Sequence, residues 1–311
     1  MDDITIAILL VTYKPDWIKF RRTLHSITIQ KDVSFSLVIA DDGSENDFFE
    51  LAEDYLKASS FTDYRFIKNK DNEGTVKNIL SGLKTISATY VKPISPGDFF
   101  YDEYTLSKLV TFLEANPCSA CFGDVYSYID GDFDSIRHLK QPFIVKPYTK
   151  HCIKNQKHFF FCHHDFINGV SLVYKTDRFV YWLSELSRII KYTEDTTTIA
   201  CMLSHDEVVK YMPLNDSGFV WYEIRVGIST SGNDEWVRII DTEIKSVFYN
   251  KNYVSKNDLL VNYQKNKFVK IMVKLFFDTF YTVRRKFMKA SQPIASRLDA
   301  KDVLKKIYEK A

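Results

Sequence analysis

Short apolar runs and amphipathic stretches alternate through the first hundred residues. An apolar run at 4–12 is followed by a segment of helical period at 17–30, an apolar run at 35–40, an amphipathic stretch at 48–57 and a third run at 64–69. Val76, Ile79, Leu80, Leu83 and Ile86 then recur at helical spacing, and 90–94 reads as a buried strand. Strands joined through single helices specify a parallel sheet with helices on its faces. A helix at 103–114 stops at Asn116-Pro117, and 120–129, with its β-branched and aromatic content, reads as one strand. Periodicity fades over 130–165, where His, Lys and Phe gather, and this stretch reads as a long loop over a site. The pattern resumes with a strand at 170–174, a helix at 176–190, a short helix at 195–203, a Gly- and Ser-containing loop at 221–233 and a helix at 235–249.

The tail departs from this pattern. Apolar residues dominate 268–290, yet Lys267, Lys270, Lys274, Arg285 and Lys289 fall on one helical face. Such a helix suits an interface between water and lipid. The expected fold class is therefore α/β, a Rossmann-like and mainly parallel sheet flanked by helices, with a C-terminal helical extension. The expected domain is 1–255, in halves 1–116 and 117–255, followed by a basic amphipathic extension at 256–311.

Composition narrows the class without naming a function. The chain has 311 residues, 45% hydrophobic and 15% aromatic, enough for a full α/β core. A net charge of +2 gives no electrostatic ground for nucleic-acid binding. Five cysteines without framework spacing point to a reducing compartment. Cys118 and Cys121 form a C-x-x-C and Cys162-His163-His164 follows, but no second C-x-x-C and no zinc-type histidine spacing accompanies them. They read as residues flanking a buried strand and as a surface loop. The run 4–11 is too short for a membrane span and follows two aspartates, the wrong flank for a signal peptide. A cytoplasmic protein, at most peripheral to a membrane, is expected.

The candidate chemistry sits where strands end. Thr12-Tyr13 closes the first strand and Asp41-Asp42-Gly43-Ser44 the second, while Ser95-Pro96-Gly97-Asp98 follows 90–94. The C-terminal edge of such a sheet is where ligands bind. Asn72, Gly74, Lys77 and Asn78 precede or open a helix, and Glu194-Asp195 opens another. Taken singly, Asp-Asp-Gly-Ser is a common turn and an acidic pair at a helix start is a common cap. The first strand lacks the G-x-G-x-x-G of a dinucleotide-binding dehydrogenase, since Tyr13-Lys14-Pro15-Asp16 stands there. Nor is there the Gly- and Arg-rich loop of a sugar-phosphate nucleotidyltransferase.

In combination these motifs resemble a family-2 glycosyltransferase of the GT-A fold, over roughly residues 4–235. The resemblance implies that Asp42, with Thr12 and Tyr13, grips the base or ribose, and that Asn72, Gly74 and Lys77 form a donor loop. Lys77 stands where the family carries arginine, a point charge in place of a fork. Asp98 corresponds to the last aspartate of the metal motif, holding Mg²⁺ or Mn²⁺ against the donor diphosphate. Pro96-Gly97-Asp98 keeps that aspartate and lacks its usual partner. Asp195 corresponds to the catalytic base, Glu194 to a residue orienting a sugar hydroxyl or the loop, and Asn168 and Gly169 border the acceptor side. Residues 227–231 resemble a C-terminal loop of polysaccharide-building members.

The activity so implied is inverting transfer from a nucleotide-diphosphate sugar, a UDP-sugar foremost, to a hydroxyl of a glycan or lipid-linked acceptor. The setting would be capsule or O-antigen synthesis, with 268–290 on an anionic membrane surface; a homodimer is compatible with such a chain. The alternative is a degenerate GT-A subunit of a sugar-assembly complex, which the joint presence of Asp42, Asp98 and Asp195 argues against.

Overall fold

The computed structural model describes residues 5–214, 217–226, 233–259, 283 and 298–310. In chain order its elements begin β1 (Ile6–Thr12), α1 (Trp17–Thr28), β2 (Phe35–Asp41), α2 (Phe49–Ala58), β3 (Tyr64–Lys68), α3 (Thr75–Leu83), β4 (Tyr90–Ile94), β5 (Phe99–Phe100) and α4 (Thr105–Ala115). They continue with β6 (Ala120–Phe122), β7 (Val125–Ile129), β8 (Asp132–Leu139), α5 (Lys146–Thr149), α6 (Ile153–Lys157), β9 (Leu172–Lys175), α7 (Thr176–Leu186) and α8 (Glu194–Ser204). Last come β10 (Val209–Tyr211), β11 (Val220–Glu223), α9 (Asp234–Phe248), α10 (Lys256–Leu259) and α11 (Leu298–Lys310).

Among the described residues seven strands form one sheet in the order β10-β6-β9-β4-β1-β2-β3, in which β9 alone runs antiparallel to its neighbours. Alternate side chains of the central strands feed two cores. Leu9, Val38, Ala40 and Val91 pack against α3, α7 and α8. Ile8, Leu10, Leu37 and Ile39 pack against α1, α2 and α4. Burial on both faces explains why these strands read as unbroken apolar runs. The mainly parallel sheet flanked by helices is the expected fold class.

A second sheet, β5-β11-β7-β8, was not legible in the sequence pattern. The stretch expected as one strand at 120–129 divides into β6 and β7, which belong to different sheets. Gly123 marks the break: a Cβ there would lie 2.6 Å from Phe219 Cβ, so only glycine lets the chain pass. The expected loop at 130–165 begins instead as a hairpin, β7 to β8, turning at Asp130-Gly131 with Gly131 at φ +75°. An Asp-Gly pair between such strands is a hairpin signal, and here the loss of apolar periodicity masked it. The expected loop at 221–233 opens with β11.

Helix α11 packs on this second sheet. Ala300, Leu304 and Ile307 are buried with Phe99, Tyr128, Ile136 and Trp221. The Arg22 guanidinium lies 3.9 Å over the Tyr308 ring, and the Tyr308 hydroxyl donates to Asp130 at 2.8 Å. No helix among the described residues is long and apolar enough to cross a membrane. The basic stretch expected at 268–290, save for Val283, and the loop at 227–231 lie outside the described residues.

Candidate active site

β1, β2, β3 and β4 run parallel, so their C-terminal ends share one edge of the sheet. β9 runs the other way, which brings the turn before it, with Asn168 and Gly169, to that same edge. The residues expected at the site therefore gather along one edge although they span the sequence from Thr12 to Asp195.

At the β1–β2 end the two aspartates divide their work. Asp41 lies opposite Thr12 and is fully buried. It accepts from the Thr12 hydroxyl at 2.8 Å, and from Ser44 N and Ser44 Oγ at 2.7 Å each. Its oxygens are spent on the turn. Asp42, also buried, accepts from Glu73 N at 3.0 Å and Gly74 N at 2.8 Å, and from Asn69 Nδ2 at 3.2 Å. It fixes the Asn72–Gly74 loop to the strand edge. Asn78 adds a second tie, donating to Thr12 O at 3.2 Å and Ala40 O at 3.0 Å. Gly74 sits at φ +91°, and a Cβ there would lie 2.3 Å from Lys191 Cγ, so the loop requires glycine twice over. Tyr13, which follows Thr12 at the strand end, is 47% exposed, with the Lys14 ammonium 5.4 Å from its ring centroid. Lys77 is exposed and paired with Glu73 at 2.8 Å, a helix-face geometry.

The turn carrying Asp98 is held from three sides. Gly97 N donates to Thr23 Oγ1 at 3.0 Å, and the Thr23 hydroxyl in turn donates to Asp98 O at 3.0 Å. The Tyr128 hydroxyl donates to Gly97 O, and Asp98 Oδ1 accepts from Glu223 N at 3.4 Å. Below the turn lies Lys92, wholly buried in β4, its Nζ donating to Pro93 O and, at 2.7 Å, to Val170 O. Burial pushes the Lys92 ammonium down to about 7, against the opposing pull of Asp98. Burial likewise pushes the Asp98 carboxyl up to about 8, which Lys92 offsets in part. Glu223 is 4% exposed and ion-paired to Lys19 at 2.6 Å through Oε1. Its Oε2 has no partner among the described residues and lies 2.5 Å from where a Cβ on Gly97 would stand.

These features fit a hard divalent cation. Two carboxylates lie side by side, one strongly proton-affine and the other with an orphaned buried oxygen; such oxygen donors suit Mg²⁺ or Mn²⁺. No cluster of three or more His, Cys, Asp or Glu occurs among the described residues, so substrate phosphate and water would supply the remaining positions. Lys92 and Glu223 were missed in the sequence: a lone lysine inside an apolar strand was the signal for the first, and the second lay in a stretch read as loop.

The second carboxylate centre stands at the start of α8. Asp195 accepts from Thr196 N, and its Oδ2 would meet a Cβ on Gly169 at 2.1 Å, so the acceptor-side turn and the aspartate are in close contact. Burial raises the Asp195 carboxyl above the usual range, opposed by the Thr196 bond. Glu194 is raised further, by burial first and then by the charge of Asp195. Two neighbouring carboxyls with heightened proton affinity are the equipment of a general base. Asn168 accepts from Val170 N at 3.2 Å, shaping the turn, and the Lys92 bond to Val170 links that turn to the strand leading to Asp98.

Residues 8–175 match the family model described as glycosyl transferase family 2. Among solved structures the fold is similar to S. aureus TarS. TarS 1–349 in complex with UDP-GlcNAc is 17% identical, with 80% of this chain and 69% of that chain covered and a TM-score of 0.54. TarS 1–349 in complex with UDP is 16% identical, with coverages of 80% and 68% and a TM-score of 0.52. Against the structure titled simply TarS, identity is again 16%, coverage 80% and 41%, and the TM-score 0.52. No curated protein sequence matches. At these identities the likeness speaks for the fold.

Proposed function

The chain belongs to glycosyl transferase family 2, and from that premise we propose that it transfers a sugar, with inversion, from a nucleotide-diphosphate sugar to a glycan hydroxyl. The observation carrying this reading is the shared sheet edge: along the strand order β9-β4-β1-β2 come the Gly169 turn against Asp195, the Asp98 turn and the Asp42-anchored loop, an order that suits acceptor, diphosphate and donor base. The UDP and UDP-GlcNAc in the TarS complexes favour a uridine nucleotide.

In this reading Tyr13 stacks on the base, while Thr12 and Asp42 set the strand edge on which base and ribose rest; Asn72, Gly74 and Lys77 border the donor. Asp98, with Glu223 beside it, would hold Mg²⁺ or Mn²⁺; the ion, when bound, neutralises charge on the diphosphate leaving group. Asn168 and Gly169 border the acceptor, and Glu194 orients it. Asp195 takes the proton of the acceptor hydroxyl as its oxygen bonds to the sugar C1 and the bond from C1 to the diphosphate breaks on the opposite face. The purified protein is expected to release UDP from a UDP-sugar panel only with acceptor present, and to stop when EDTA removes divalent metal. Absence of both nucleotide binding and release across the panel would favour the degenerate-subunit reading.

The acceptor is read as lipid-linked, in surface polysaccharide synthesis, on the sequence of 268–290. Lysines on one face and Phe276, Phe277, Phe280 and Phe287 among the apolar residues suit an anionic headgroup layer, each basic residue adding on the order of 1 kcal/mol. Sedimentation with anionic liposomes checks this. Binding that weakens as salt rises is expected, and salt-independent absence of binding counts against it.

A further inference from the structure

The loop at 191–193 leads directly into Glu194 and Asp195, and it is clamped by a single side chain from outside the family match. Glu243, half-buried on α9, accepts through Oε1 from Lys191 N at 2.8 Å. Its Oε2 accepts from Tyr192 N, Thr193 N and the Thr193 hydroxyl, each at 3.0 Å. Three successive backbone N–H groups and one hydroxyl thus converge on one carboxylate, an acceptor-only group whose bonds are charge-assisted. Thr193 is the N-cap residue of α8, yet its side chain makes no capping bond; it is committed to Glu243 instead. The Trp236 ring, also on α9, packs edge-on against Tyr192 at 5.0 Å.

The clamped loop also touches the donor side. Lys191 O accepts from Val76 N at 3.0 Å, at the start of α3, and the Lys191 side chain covers Gly74. Gly74 is bound in turn to Asp42. One anion therefore sets the spacing between the nucleotide grip and the residue two positions beyond Thr193.

We propose that Glu243 is a positioning residue for the transfer reaction, holding Asp195 at the cleft by fixing the backbone of 191–193. The proposal rests on the reading of Asp195 as base. A second, electrostatic contribution follows from the same placement. The groups facing Glu194 and Asp195 are each other, Glu243 from α9 and Tyr174 from β9, and the negative charge of Glu243 adds to the proton affinity of Glu194.

Glu243→Gln keeps the shape but replaces one accepting oxygen with an amide that only donates. Faster amide hydrogen exchange at Tyr192 and Thr193 is expected, with kcat lowered about tenfold or more, since small displacements of a catalytic group are costly. The UDP Kd stays within about twofold of wild type, so the loss falls on kcat and not on donor binding. A purely structural clamp would lower stability and active fraction and leave kcat per active site as in wild type; an unchanged kcat per active site once exchange has quickened, or a loss of UDP affinity as large as the loss of kcat, overturns the proposal. If Glu243→Gln does not fold, Thr193→Val removes one of the clamp's bonds and is expected to lower kcat in the same direction by less; wild-type kcat there overturns it equally. Asp195→Asn in the same assay separates the two claims: retained turnover would place the base elsewhere, whatever Glu243 does.

Discussion

Asparagine in place of Asp195 is expected to cut turnover at least about a hundredfold while UDP binds as in wild type, the loss belonging to general-base catalysis. Asn keeps the size of the side chain and can still accept from Thr196 N, so α8 should start as before. What disappears is the group able to take a proton. Because burial raises the carboxyl, the acid limb of wild-type activity should lie above the roughly 3.9 of a free aspartate, and activity should fall as pH drops through it. Turnover from nucleotide release and affinity from UDP titration read the two halves separately. Near-wild-type turnover in Asp195→Asn would move the role to another carboxylate, Glu194 being adjacent.

Asp98→Ala addresses the other end of the reaction. UDP affinity measured with Mn²⁺ should weaken about tenfold or more, about 1.4 kcal/mol per factor of ten. EDTA should bring wild type down to the level of the variant and leave the variant unmoved. A variant that still gained affinity from Mn²⁺ would mean that Asp98 is not the ligand. The measurement belongs near pH 8, for a reason set by Lys92. Its folded-state pKa lies below the ordinary 10.5, so its contribution to stability is full above that value and is lost as pH falls toward about 7. Removing Asp98 takes away the charge that opposes this depression, and the variant is best folded where Lys92 can remain neutral and still donate to Val170 O.

The central sheet was legible because its strands are buried on both faces and its helices on one, so that period and run length differ plainly along the chain. Asp42 and Asp98 could be placed because each follows a strand, Asp195 because it opens a helix and Gly169 because it precedes a strand, while the roles expected of them came from the family resemblance. The second sheet was less legible. Its strands are short, Gly123 hides a change of sheet inside what reads as one strand, and β8 alternates exposed and half-buried residues with little apolar content. The supports of the site were the least legible part. Lys92, Glu223 and Glu243 act through contacts with residues far away in sequence; Lys92 left one mark, a charge inside an apolar strand, whereas nothing local distinguishes Glu223 or Glu243 from a surface glutamate.

Helix α11 has a consequence for the turn that carries Asp98. Its Tyr308 ring stands edge-on to Phe99 and to Tyr128, 6.0 Å from each, and the Tyr128 hydroxyl holds Gly97 O. The far end of the sequence is thus a buttress for a turn made by its first third. Cutting the chain before Leu298 would take away that backing ring and bare the apolar surface of Phe99, Ile136 and Trp221 to water.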